Sequence, residues 1–120
     1  MEIRRRQETQ LLDDFVARLR DILPRDWSVR RARMPRSVAW EPDAALEIRA
    51  ADGTRGRVAL AIQPRLYPRD VVTQRPLWRS LAESMPVLVL TSVVTARTRE
   101  VLDAAGLSYA DAAGSLRLAM

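Results

Sequence analysis

Any chemistry in this chain has to come from carboxylates, hydroxyl groups and arginine, because its 120 residues include no cysteine, histidine or lysine. All twenty basic residues are arginine. The missing residue types exclude a disulfide framework, a thiolate metal site, a cysteine nucleophile, a histidine-based triad and a lysine Schiff base. Nine Asp and six Glu remain, and carboxylates that bind Mg²⁺ and activate water are the main catalytic option left.

Three carboxylates are candidates for such chemistry. Asp43 follows Pro42 at the head of an alternating segment, and Glu47 points to the same side of the same predicted strand. Four residues at ~3.3 Å each place the two about 13 Å apart, too far to share an ion. For Glu47 the favoured interpretation is therefore a cross-strand ion pair with Arg57. Asp14 lies on the first predicted helix, where a solvent-exposed helix charge is the favoured interpretation.

Arginine is distributed unevenly along the chain. The net charge is +5, and residues 1–79 hold seventeen Arg against eleven acids, whereas residues 80–120 hold three Arg against four acids. Such a basic region is typical of a surface that binds a polyanion, since guanidinium groups grip phosphates with paired hydrogen bonds. The alternative is that a GC-rich genome uses arginine wherever a solvated charge is needed. The candidate nucleic-acid contacts are Arg30, Arg31, Arg33, Arg36, Arg65 and Arg69.

The first half of the chain predicts a helix followed by three strands. Apolar residues recur at helical spacing over residues 9–23, and Pro24 ends the helix. Residues 27–33 predict a short basic strand at a sheet edge. Residues 44–50 and 57–63 alternate between apolar and polar or small side chains, and Asp52-Gly53 marks a turn between them, so the two segments predict a hairpin.

The second half alternates helices and strands. Residues 64–76 predict a loop or a broken helical turn, with a helix starting at Pro76. The apolar run at residues 87–90 predicts a strand covered on both faces. A helix over residues 95–105 ends at Gly106, and two short strands surround a turn shaped by Asp111 and Gly114. This order predicts a single α/β domain over residues 1–120, with helices on both sides of a mixed sheet. No apolar run reaches the ~20 residues of a membrane helix, and we expect a cytoplasmic protein.

The order of helix, three-strand meander, helix and buried strand resembles the core of the restriction-endonuclease-like superfamily, the PD-(D/E)xK nucleases. Pro42-Asp43 matches the family's first motif. In the family an acid, any residue and a lysine follow on the next strand, and here Ala61 and Gln63 stand in place of the acid and the lysine. Slipping the hairpin by two residues would instead bring Gln63 and Arg65 into these positions. The resemblance implies a three-layer α/β/α fold with a mixed central sheet. For Asp14 it implies the alternative to a solvent-exposed charge, an approach to the site from the first predicted helix.

A second segment resembles nuclease-like transcriptional regulators of actinobacteria. Residues 95–100 match their S/T-x-R-T/S-R-E helix, and residues 111–115 match their D-x-x-G-N segment, with Ser115 where asparagine is usual. A winged helix often follows in those proteins. This resemblance implies that the chain is the N-terminal part of a longer regulator.

We therefore expect a catalytically inactive nuclease-like domain, without cofactor or metal, that acts as a module for duplex-DNA association, regulation or homodimerisation. The substituted positions Ala61 and Gln63 leave Asp43 as the only acid of the motif, and metal-dependent phosphodiester cleavage needs at least two converging carboxylates. The first alternative is a residual Mg²⁺-dependent nuclease using Asp43 and Gln63. The second is a protein-interaction domain that does not bind DNA.

Overall fold

The computed structural model describes residues 2–33, 43–83 and 85–118. These residues form three helices and six strands in the predicted order. The elements are α1 (Glu2–Ile22), β1 (Ser28–Ala32), β2 (Ala44–Arg49), β3 (Arg55–Ile62), α2 (Pro68–Ala82), β4 (Val87–Thr91), α3 (Ala96–Ala104), β5 (Ser108–Asp111) and β6 (Leu116–Arg117).

The strands form one mixed sheet in which spatial order follows sequence order, from β1 to β6. Strands β1, β2 and β3 are an antiparallel meander. Strands β3, β4 and β5 are parallel, connected through α2 and α3, and β6 returns antiparallel to β5. The predicted mixed α/β fold is therefore confirmed, as is the placement of the basic strand β1 at an edge.

Two hydrophobic cores lie on opposite faces of the sheet. On one face α1 packs its apolar stripe, including Phe15, against Leu46 and Leu60 of the meander. On the other face α2 and α3 bury residues such as Trp78 and Leu102 against β3, β4 and β5. Strand β4 contributes alternate side chains to both cores, which explains why its sequence is a continuous apolar run.

The start of α2 differs from the prediction. The segment 68–76 belongs to a continuous helix and is neither a loop nor a broken helical turn, because Pro68 occupies the first turn, where a missing N–H is tolerated. The Tyr67 N–H donates to the Asp70 carboxylate at 2.9 Å, which caps this end. Pro76 then lies inside the helix on its exposed side, and burial of Val71 and Trp78 at helical spacing outweighs the ~3 kcal/mol penalty of an interior proline.

The other boundaries follow local signals. Helix α1 begins at Glu2 rather than near residue 9, because its first turns lack the apolar stripe on which the prediction depended. The Thr95 hydroxyl accepts a hydrogen bond from the Thr98 N–H at 3.3 Å and caps α3 as expected. Gly53 and Gly106 have positive φ angles of 89° and 68°, which the hairpin turn and the end of α3 require. None of the helices in the described ranges is long and apolar enough to cross a membrane.

Candidate functional site

The hairpin brings the motif positions together at one edge of the sheet. Ala44 pairs with Leu60, so Asp43, one residue earlier, lies opposite Ala61. This edge also contains the carboxyl ends of the parallel strands β3, β4 and β5, where ligands bind in open α/β sheets. The strands adopt the hairpin register that places Ala61 opposite Asp43, and they do not adopt the register slipped by two residues.

Asp43 uses its carboxylate to close the hairpin. Its Oδ2 accepts a hydrogen bond from the Ile62 N–H at 2.7 Å, and its own N–H donates to the Leu60 carbonyl at 3.0 Å. Ala61 is fully buried in the core beneath α2. The Gln63 N–H donates to the Leu90 carbonyl at 2.8 Å, which joins the end of β3 to β4. Of Asp43, Ala61 and Gln63, Asp43 alone therefore brings a carboxylate to this edge of the sheet.

These residues do not fit a magnesium site. Mg²⁺ in an enzyme that cleaves phosphodiesters needs converging oxygen ligands, usually carboxylates, and the motif positions offer one carboxylate and one amide. In the ranges 2–33, 43–83 and 85–118 there is no group of three acidic side chains that could hold a metal ion. Asp14 is exposed and accepts a hydrogen bond from Gln10 Nε2 at 2.8 Å, as expected for a solvated helix charge.

Glu47 occupies a different place, at the centre of the meander. It is buried, with 7% of its side chain exposed, and its direct cross-strand neighbours are Arg30 and Arg57. Arg30 Nη2 donates to Oε1 at 3.0 Å. The Nε atoms of Arg57 and Arg55 lie 3.8 Å and 3.9 Å from the two carboxylate oxygens. The predicted pairing of Glu47 with Arg57 is confirmed, and two further arginines join it.

We call this surface the arginine face, defined by Arg30, Arg49, Arg55 and Arg57 around Glu47. Arg49 and Arg55 are direct cross-strand partners, so two positive side chains stand opposite each other on the same face. The core beneath α2 and α3 includes residues of β3, β4 and β5 but none of β1 or β2. The helices therefore cover the parallel half of this sheet face, and Arg30, Arg55 and Arg57 are each more than half exposed.

The arginines predicted to contact nucleic acid do not share one surface. Successive strand residues point to opposite faces, so Arg30 belongs to the arginine face, whereas Arg31 lies on the other face and forms an ion pair with Asp13 of α1. Arg33 and Arg65 are exposed beyond the ends of β1 and β3. The guanidinium of Arg69 lies over the Tyr67 ring, 5.4 Å from its centroid. Arg36 lies outside the described residues.

Sequence reasoning missed Arg49 and Arg55. The signal was available, because a hairpin that turns at Asp52-Gly53 and pairs Glu47 with Arg57 must also pair Arg49 with Arg55. Arg49 and Arg55 are six residues apart in the chain and become neighbours only across the hairpin. The strand register, more than local arginine density, assembles the most positive face of the meander.

Asp111 lies at the carboxyl end of β5, at the same edge of the sheet, and organises the loops there. It is 2% exposed, and its carboxylate accepts hydrogen bonds from the N–H groups of Val94 at 2.9 Å and Ser115 at 2.8 Å. Arg18 donates to the carbonyls of Asp111 at 3.0 Å and Gly114 at 2.6 Å. The prediction that Asp111 and Gly114 shape the turn before β6 is confirmed, and the carboxylate also holds the loop before α3.

Comparison with known proteins does not supply a relative. No protein-family model, no curated protein and no solved structure matches the chain. The likeness to the restriction-endonuclease-like superfamily consequently stays a prediction from the sequence, based on the order of the elements, on Pro42-Asp43 and on the segments 95–100 and 111–115.

Proposed function

We propose that this chain is a catalytically inactive, restriction-endonuclease-like module that associates with duplex DNA. The observation that carries the proposal is the placement of Asp43 directly opposite Ala61. In the proposed assignment Asp43 and Ala61 correspond to the two acid positions of the nuclease motif; the hairpin pairs these residues, and the alanine side chain offers no oxygen ligand. The remaining carboxylate accepts a main-chain hydrogen bond, so it serves the fold at a position where a nuclease would need a metal ligand.

The charge distribution supports association with a polyanion. The chain has a net charge of +5 supplied entirely by arginine, and seven of these arginines lie on or beside the meander, outside the cover of α2 and α3: Arg30, Arg31, Arg33, Arg49, Arg55, Arg57 and Arg65. Arginine–phosphate contacts contribute affinity that does not depend on base sequence and that falls steeply with salt. We therefore propose binding to the DNA backbone, without base-specific recognition.

The proposal is tested by measuring cleavage and binding on the same preparation. Supercoiled plasmid is incubated with Mg²⁺ or Mn²⁺, using wild type and Asp43→Asn, a variant that keeps an oxygen to accept the Ile62 N–H. We expect no nicking above background from either protein. Metal-dependent nicking by wild type that the variant lacks would contradict the inactive assignment and favour the residual nuclease.

Binding is measured by fluorescence anisotropy of a labelled duplex. We expect affinity to fall at least tenfold between about 50 mM and about 200 mM salt, as a backbone-binding protein requires. If the protein shows no salt-sensitive binding to the duplex, the proposed association with DNA is wrong, and the protein-interaction alternative remains.

A further inference from the structure

The arginine face contains an electrostatic conflict that folding alone does not explain. Arg49 and Arg55 face each other across β2 and β3, and like charges in direct cross-strand positions destabilise a sheet. Arg57 lies two residues from Arg55 on the same face, and Arg30 stands on the far side of Glu47. Among the described residues Arg49 has no acidic partner within ion-pair distance. Four arginines therefore crowd one face despite mutual repulsion.

Glu47 offsets only part of this charge. One carboxylate among four guanidinium groups leaves three positive charges uncompensated. The carboxylate also lies beneath the arginines, because 7% of the Glu47 side chain is exposed against 67% for Arg30 and 56% for Arg55 and Arg57. A molecule that approaches this face meets guanidinium groups first, and Glu47 holds Arg30 from below through the 3.0 Å hydrogen bond.

The dimensions of the face fit a polymer better than a single small anion. Arg30 and Arg57 are two strand spacings apart, about 10 Å, and Arg55 and Arg57 are about 7 Å apart along β3. Guanidinium groups distributed over such an area can each contact a different phosphate. Duplex DNA presents a row of phosphates on either side of a groove about 12 Å wide, so several contacts can form at once.

The composition of the face favours nucleic acid over a membrane. Binding at a lipid surface needs apolar side chains that insert, in addition to positive charge. The other residues that share this face on the three strands are small, namely Ser28, Ala32, Ala45, Ala59 and Ala61. Planar guanidinium forks match phosphate geometry, and the described strand residues of this face offer them without a large apolar side chain beside them.

We infer that the arginine face is the surface that contacts the phosphate backbone of duplex DNA. This inference depends on the DNA association proposed above and adds the place where the contacts form. It assigns binding to Arg49 and Arg55, two residues that local arginine density does not single out, together with Arg30 and Arg57. It also assigns Arg31 to the fold, through its ion pair with Asp13.

The test compares two double variants with the same loss of charge. Arg49→Gln/Arg55→Gln removes the facing pair, and Arg75→Gln/Arg97→Gln removes two exposed arginines from the outer surfaces of α2 and α3. We expect the first variant to lose at least tenfold in duplex affinity at about 50 mM salt. The plot of the logarithm of the binding constant against the logarithm of the salt concentration should become less steep by about two. The control should lose less than threefold and keep its slope. Thermal unfolding verifies that both variants are folded.

The outcomes separate this inference from the proposed function. Wild-type binding to duplex DNA with equal losses in the two variants would overturn the arginine face as the contact surface and would leave DNA association intact. A wild type that does not bind duplex DNA would overturn both. Vesicles containing phosphatidylserine are the third arm, and binding to these vesicles but not to DNA would also overturn the inference in favour of a membrane surface.

Discussion

Asp111 and Glu47 are both buried carboxylates, yet the sheet satisfies them in opposite ways. Asp111 accepts hydrogen bonds from two main-chain N–H groups that belong to different loops. Glu47 is surrounded by three arginine side chains on neighbouring strands. Main-chain donors are held in place by the fold and lose their partner if the acid is removed, whereas an exposed guanidinium can turn toward water or toward another anion.

Asp111 therefore stabilises the fold by joining two loops, whereas Glu47 positions arginine side chains on an exposed surface. Asp111 connects the loop before α3 with the turn before β6, which are otherwise separated by α3 and β5. Glu47 connects three strands that already pair through their main chains. Burial alone therefore does not reveal what a carboxylate contributes, and the identity of its donors does.

Replacing Asp111 with alanine should have the largest effect. Two N–H groups would lose their acceptor inside the structure, and each unsatisfied buried donor costs about 1–3 kcal/mol. We expect the free energy of unfolding to fall by about 3 kcal/mol, measured by urea titration followed by circular dichroism. Asp14→Ala, at an exposed position on α1, is the control with little expected change. If the Asp111 variant loses less than about 1 kcal/mol in its free energy of unfolding, Asp111 does not stabilise the fold more than Glu47 does.

Replacing Glu47 with glutamine should have a smaller effect on stability. The amide keeps the shape of the side chain and an acceptor for Arg30, and the arginines released from the ion pairs remain solvated. We expect the free energy of unfolding to change by less than about 1 kcal/mol, because the arginine partners are each more than half exposed and water screens their charges. A loss as large as that for Asp111 would show that Glu47 is also part of the framework.

Replacing Arg49 with glutamate should stabilise the fold slightly while weakening DNA binding. The change converts a facing pair of like charges with Arg55 into a pair of opposite charges, which is favourable by about 0.5 kcal/mol. Unfolding by urea and anisotropy with a labelled duplex measure the two effects. Arg97→Glu on α3 is the matched charge reversal, with little expected change in either. If Arg49→Glu lowers the free energy of unfolding, Arg49 and Arg55 do not repel each other enough to destabilise the sheet.

The smallest effect is expected at Asp52, an exposed carboxylate in the hairpin turn. Hydrogen bonds from the Thr54 side chain, and then from the Thr54 N–H at 2.8 Å, lower the pKa of Asp52 from its ordinary value of 3.8. Because the folded-state pKa is depressed, this contribution to stability is present above pH 3.8 and is lost as the pH falls through the lowered pKa. Titration by NMR measures the pKa, and Thr54→Val should raise it. An Asp52 pKa that Thr54→Val leaves unchanged would show that Thr54 does not hold the carboxylate.

Local patterns in the chain predict most of the elements and part of the site. The spacing of Leu11, Phe15 and Leu19 indicates α1, and the turn at Asp52-Gly53 indicates the hairpin that places Asp43 opposite Ala61. The prediction failed at α2, where Pro76 suggested a helix start. A helix can continue through a proline only where burial of the surrounding side chains outweighs the free-energy cost of the proline. That burial depends on how the helix packs against the assembled sheet.

The sequence by itself therefore determined the order of the elements, the presence of the hairpin and the restriction of chemistry to carboxylates, hydroxyl groups and arginine, because these depend on residue types and on neighbours near in the chain. The tertiary structure decided which arginines share a surface and what surrounds each buried acid. Arg30 and Arg31 are adjacent in sequence but lie on opposite sheet faces, whereas Arg30 and Arg57 approach the same carboxylate across three strands. Those relations require strands to be brought together by the cores on either side of the sheet, and no local pattern records them.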